Sequence, residues 1–191
     1  MLAVSSGCGG SDKSSTPTGG YSLPSPTPTT TTSTGGIDPL EGAGTTPVEG
    51  SSTGSEIALL ERVALGRHEG YDRVVFQFRS TLPGYKVEYV QPPLKEDGSG
   101  NPVRIKGTAF LVVRMEQASG FDLNTGEGVM TYTGPRRIDG STAGTSVVQE
   151  LVRTGDFEAV LTWAIGLSDK VDFRVRTATS PPRLIVDLRN H

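Results

Sequence analysis

From residue 56 onward, apolar and polar positions alternate with a period of two, the spacing of strands that set one face on a core and the other in solvent. "YDRVVFQFRS" groups Val74, Phe76 and Phe78, and "GYKVEYV" groups Tyr85, Val87 and Tyr89 with Lys86 and Glu88 outward. The longest run, "VRIKGTAFLVVRM", alternates from Val103 to Met115, with Gly107 expected as a bulge within one long strand. "GDFEAVLTWAIGL" groups Phe157, Ala159, Leu161, Trp163 and Ile165. "VDFRVRT" groups Val171, Phe173 and Val175, and "PRLIVDLRN" groups Leu184, Val186 and Leu188. "IALLERVAL" adds a strand, and "SVVQELV" fits either a strand or a short helix. Turn signals such as "LPG", "EDGSGNP" and "SPP" separate the runs. The expected class is all-β, a small β-sandwich of about eight strands.

The preceding segment has a different composition. Of the 47 residues from 9 to 55, 36 are Gly, Ser, Thr or Pro, too little apolar surface to offset chain entropy, so a disordered tether is expected there. The division is then 1–8 as the remnant of a lipoprotein signal, 9–55 as tether, and 56–191 as a folding domain. At 136 residues that domain is long enough for its own core.

The only cysteine, Cys8, stands at the front of this tether in "SSGC". A small-residue box before a cysteine, followed by a Ser/Thr/Pro tether, resembles a bacterial lipoprotein site, so Cys8 is the expected lipidation residue and the membrane an expected partner. "MLAV" is too short for the apolar region of a signal peptide, so the sequence is expected to start inside its signal, leaving the chain as given soluble. A stray cysteine in a leader is the alternative.

Charge narrows the function. Residues 56–191 carry 17 basic and 17 acidic side chains, which gives no overall electrostatic footprint for nucleic acid. With two histidines, His68 and His191, a His-dependent triad or a multi-His metal site has almost no material. Asp122, Asn124 and Glu127 read as an Asx-type turn rather than a calcium loop. A nonenzymatic protein with no metal and no cofactor is expected. Trp163 reads as core rather than as a sugar platform, and Arg174 and Arg176, beside Asp172, read as a solvated ion-pair face. The segment 117–146 is long for a connection and holds Tyr132, Arg136 and Arg137. An aromatic face beside guanidinium forks suits sugar carbons and oxyanions together, so these three are the candidate ligand-binding residues, against the plainer reading of a surface loop.

"YDRVVFQF", "LPGYKVEYV", "GDFEAVLTWAIGL" and "PPRLIVDLRN", in that order, resemble the AMIN-like domain of actinobacterial envelope lipoproteins over about Glu56 to Asn190. Arg73 to Phe76 and Arg183 to Leu188 are more distantly similar to the AMIN domain of cell-wall amidases. The resemblance implies a sandwich of two sheets, an extracytoplasmic place at the cell wall, and peptidoglycan or another wall polymer as partner, and it brings no catalytic residues. The expectation is a noncatalytic, lipid-anchored envelope protein that binds a wall polymer. The alternative is an envelope assembly protein that meets another protein by sheet-edge or loop contacts.

Overall fold

Every long alternating run becomes a strand, and the pairing of those strands decides which faces remain open. The computed structural model describes residues 38–122, 124 and 128–190. Cys8, the tether up to residue 37, Glu127 and His191 lie outside the described residues. The strands are β1 (Val48–Gly50), β2 (Ala58–His68), β3 (Tyr71–Phe78), β4 (Gly84–Val90), β5 (Leu94–Lys95), β6 (Pro102–Val103), β7 (Ala109–Glu116) and β8 (Ala118–Ser119). They continue as β9 (Phe121–Asp122), β10 (Val129–Met130), β11 (Arg137–Asp139), β12 (Val148–Phe157), β13 (Val160–Leu167), β14 (Phe173–Thr179) and β15 (Pro182–Arg189). Eight of them have seven residues or more, as the pattern predicts.

Two sheets face each other. The first runs β1-β4-β7-β13-β12-β11, and the second runs β14-β15-β3-β2-β8. Pairing is antiparallel except where β8 joins β2. The inward rows Val74, Phe76, Phe78 and Leu184, Val186, Leu188 of the second sheet are fully buried against Leu111, Val113, Leu161 and Ile165 of the first. Trp163 lies at the centre with no exposure, its ring 5.9 Å from that of Phe76. It is core, as read. "SVVQELV" resolves as strand within β12.

The folded unit starts earlier than residue 56. Leu40 is fully buried, Gly44 pairs with Phe173, and β1 pairs with β4. The amide of Thr53 donates to the carbonyl of Leu82 at 3.1 Å. Residues 38–55 thus close the side of the sandwich between edge strands β14 and β4. Their composition is that of a tether, yet Leu40 and Val48 suffice to dock them.

Two strands were read too long. The run from Val103 to Met115 is cut because Gly107 takes φ +116°, and a side chain there would strike the Leu167 backbone. Val103 belongs to the β5–β6 hairpin and only the residues from Ala109 belong to β7. The run from Phe157 to Ile165 is a hairpin whose turn residues, Glu158 and Ala159, both have positive φ (49° and 57°). Phe157 therefore ends β12 on the outer side, 62% exposed, instead of sharing the core row.

The two outer faces differ. Across the first sheet folds the segment 92–108. Its Asp97 amide donates to the Thr154 carbonyl (3.1 Å), Thr162 donates to the Asp97 carboxylate (2.5 Å), and the Lys106 amide donates to Glu150 (3.1 Å). Gly155 and Gly166 lie beneath it, where a Cβ would collide with Asp97 and with the Lys106 carbonyl. Over the second sheet, among the described residues, only 38–41 reach in, at one end, where the Pro39 and Glu41 carbonyls accept from Arg174 (2.9 and 3.3 Å).

Candidate functional site: the arginine face of the second sheet

The loop residues expected to bind ligand are not brought together as an open site. Tyr132 is 4% exposed, packed edge-on against Trp163 at 5.7 Å, and its hydroxyl donates to the Pro135 carbonyl at 2.9 Å. Burial pushes its phenol pKa up, and nearby Arg153 offsets only part of that. Arg136 donates to the Arg153 carbonyl (2.9 Å) and to Glu96 (2.5 Å), while Arg137 donates to Glu150 (3.1 Å) and to the Arg104 carbonyl (2.8 Å). The ring is used to cover Trp163 and both forks are committed, so the three do not present an aromatic face beside free cations. The Asx-type turn is present, with the Asn124 amide donating to the Asp122 carboxylate at 3.1 Å.

The outer face of the second sheet, open except at the end met by residues 38–41, carries the arginines instead. In the registers of β2, β3, β15 and β14, outward positions are one side of successive pairs, and these hold Arg62, Arg73, Arg174, Arg176, Arg183 and Arg189. The same outward positions hold a single carboxylate, Asp187. The surrounding side chains are small or apolar (Ala64, Val75, Ile185, Ala178), with Tyr71 and His68 stacked at 4.9 Å near one end.

Asp187 organises the centre. It is fully buried yet lies on the outer side, roofed by guanidinium groups. Arg73 donates two hydrogen bonds to it (2.6 and 3.1 Å), Arg176 donates at 2.9 Å, and Arg174 approaches at 3.5 Å. Burial raises its pKa, but the hydrogen bonds and charge of Arg73 and then Arg176 outweigh that and hold the carboxyl below its ordinary range. One negative charge thus holds three positive ones in place. Arg73 is also stacked over Tyr71 at 4.9 Å. The neighbouring residue in β3, Asp72, turns inward and accepts from the amides of Ser146 (2.9 Å), Val147 (2.7 Å) and Val148 (3.1 Å), which locks the strand that aims Arg73.

At the flanks the charge is less balanced. Arg189 is held by Asp38 at 2.9 Å. Arg62 and Arg183 have no ion-pair partner among the described residues, and both are paired in register with Gln77, so they stand two strands apart across one row. Nε of Arg174 and of Arg183 find no hydrogen-bond acceptor. Donors exceed acceptors on this face. Forked guanidiniums on a flat sheet are suited to oxyanions spaced along an extended chain.

Nothing in the sequence pattern shows this site directly. The outward residues of β14 and β15 alternate visibly, but their meeting with Arg62 and Arg73 depends on register. The reading of Arg174 and Arg176 as partners of Asp172 is corrected: both meet Asp187 on the next strand, and Asp172 is 3.7 Å from Arg189.

No curated protein and no solved structure matches the chain at a significant level. A family model does match, that of the AMIN-like domain, over residues 58–190. The match runs from the start of β2 to the end of β15 and so includes every strand of the arginine face. It points to a cell-wall-related binding role outside the cytoplasm. With most of its length covered, the chain belongs to the AMIN-like domain family.

Proposed function

We propose that the protein is a noncatalytic binding module of the cell envelope whose arginine face engages oxyanions of peptidoglycan or another wall polymer. The observation that carries this reading is the largely open sheet face with six outward arginines around Asp187. Stem-peptide carboxylates and wall phosphodiesters share the chemistry that such forks accept. Each exposed contact is weak, so a single encounter has an affinity of about micromolar or weaker. Lipid modification of Cys8 supplies the rest by raising local concentration, and fatty-acid labelling that is lost in Cys8→Ser tests it.

The direct test is co-sedimentation with purified sacculi, before and after removal of phosphate-bearing polymers, which separates the two oxyanion sources. The parent protein sediments and added salt releases it. The double variant Arg62→Ala, Arg183→Ala sediments less with an unchanged melting temperature. Absence of sedimentation at any salt concentration overturns the reading.

The second reading, a protein partner, has one observation in its favour. Gly44 closes the free edge of β14 only at Phe173, and the outward backbone groups of Val175 and Thr177 have no partner among the described residues. That edge accepts an added strand. Retention that disappears when sacculi are stripped of protein supports it.

A further inference from the structure

A second recognition surface lies where β12 runs past the end of β11. β11 pairs with β12 only as far as Val152, which leaves the stretch from Thr154 to Phe157 paired with β13 on one side and with no strand on the other. Phe157 is the most exposed of the large apolar side chains, and a hairpin turn of two residues in left-handed conformation sets it there. Ala159 and Glu158 are poor choices for that conformation, in which glycine or asparagine is usual. The turn is held by the Ala118 amide, which donates to the Ala159 carbonyl at 2.9 Å. Strain kept in this way to hold an aromatic ring in water points to use of the ring.

The ring of Phe157, with Phe121, stands between two hollows. On one side lies an apolar groove floored by Ile57 and Ala159. On the other lies a cleft of about 370 Å³ rimmed by Glu96, Asp97, Arg136 and Asp156. Its carboxylates are already engaged. Glu96 accepts from Arg136 (2.5 Å) and Ser99 (2.9 Å), Asp97 from Thr162 (2.5 Å), and Asp156 from Ser119 (2.9 Å) and the Gly120 amide (3.0 Å). Ser99 and then Arg136 hold the Glu96 carboxyl below its ordinary range. An added anion meets three carboxylates here, and an added cation meets Arg136 and Arg153. An uncharged ligand with hydroxyls meets neither penalty, because ionised carboxylates retain free lone pairs that accept O–H donors.

We propose that Phe157, with Phe121 and the carboxylates of this cleft, binds a neutral saccharide, the apolar face of one sugar ring lying on Phe157 and its hydroxyls donating to the rim. The excess of carboxylates over guanidiniums distinguishes it from the arginine face, which takes oxyanions. It draws on the wall-binding reading only for the choice of an amino sugar as probe.

The experiment titrates the full chain with an uncharged β-1,4-linked tetramer of N-acetylglucosamine and follows backbone amide shifts. Shifts centred on residues 96–99 and 154–159 are expected, with a dissociation constant of about a millimolar. Phe157→Ala weakens this by about tenfold or more, and Phe157→Trp restores it. The Arg62→Ala, Arg183→Ala variant binds the tetramer unchanged, so failure of the arginine face and failure of this cleft are read separately. Absence of shifts in the cleft overturns the proposal, as do shifts that persist in Phe157→Ala. Self-association of the parent that Phe157→Ala abolishes, without any response to the tetramer, overturns it in favour of a contact between copies.

Discussion

The two outer faces of the sandwich are built from equally alternating strands and end in opposite states. On the first sheet, outward residues are small or hydroxylated where the 92–108 segment lies on them, and Gly155 and Gly166 leave room for that segment's backbone and for Asp97. On the second, the outward positions include six arginines, and among the described residues only 38–41 reach over it, at the end where they meet Arg174 and Arg189. A sheet face needs a cover or a solvated surface, and a protein that covers one face and leaves most of the other open and rich in arginine has kept it for contact with something else.

Breaking the centre of the bare face has the largest expected effect. Asp187→Ala leaves Arg73, Arg174 and Arg176 without their shared counter-ion and lowers stability by about 3 kcal/mol. The same change removes the acid at the centre of the face, so wall retention at low salt rises in the fraction that stays folded. Loss of stability with unchanged retention would separate the cluster from binding. Denaturant melts paired with sedimentation read both.

Breaking the cover comes next. Gly166→Ala forces a methyl into the Lys106 carbonyl and costs about 2 kcal/mol, with no change in retention of the folded protein, because Gly166 lies apart from both the arginine face and the Phe157 cleft. For the flanks, the Arg62→Ala, Arg183→Ala pair leaves the melting temperature unchanged and reduces the slope of log affinity against log salt by about two, one released counter-ion per arginine.

A smaller effect follows from pH. The folded-state pKa of Asp187 lies below its unfolded value, so its contribution is present above the ordinary carboxylate value of about 3.9 and is lost as pH falls through the lower folded one. The melting temperature is flat from neutral pH to about 5 and drops below about 4, and Asp187→Asn flattens that acid limb. The smallest effect belongs to Arg136→Ala with Arg137→Ala. Both side chains are committed to carboxylates and carbonyls away from the arginine face, so the salt-dependent part of retention on sacculi stays within error of the parent.

The sandwich was legible wherever burial imposes period two. Val74, Phe76, Phe78 and Leu184, Val186, Leu188 needed only alternation, because a strand between core and solvent has no other pattern. Turns without their usual residues were not legible: Glu158 and Ala159 carry no turn signal, so Phe157 was placed in the core it faces away from. Composition misled at residues 38–55, where two docked apolar side chains outweigh the surrounding Gly, Ser and Thr. The site was the least legible part. Arg73 and Asp187 are 114 residues apart in sequence, and only register brings them together. Tyr132 and Arg136 were chosen for being close along the chain, which does not determine where side chains point.

The central claim is that one face meets the wall and the other does not. Amide hydrogen exchange of the full chain, measured with and without an excess of purified sacculi, tests it strand by strand. The account predicts slowed exchange along β14, β15, β3 and β2, with the 92–108 segment unchanged apart from the residues that rim the Phe157 cleft. Slowed exchange confined to that segment and the strands beneath it, or no change anywhere while the protein sediments with the wall, would contradict it.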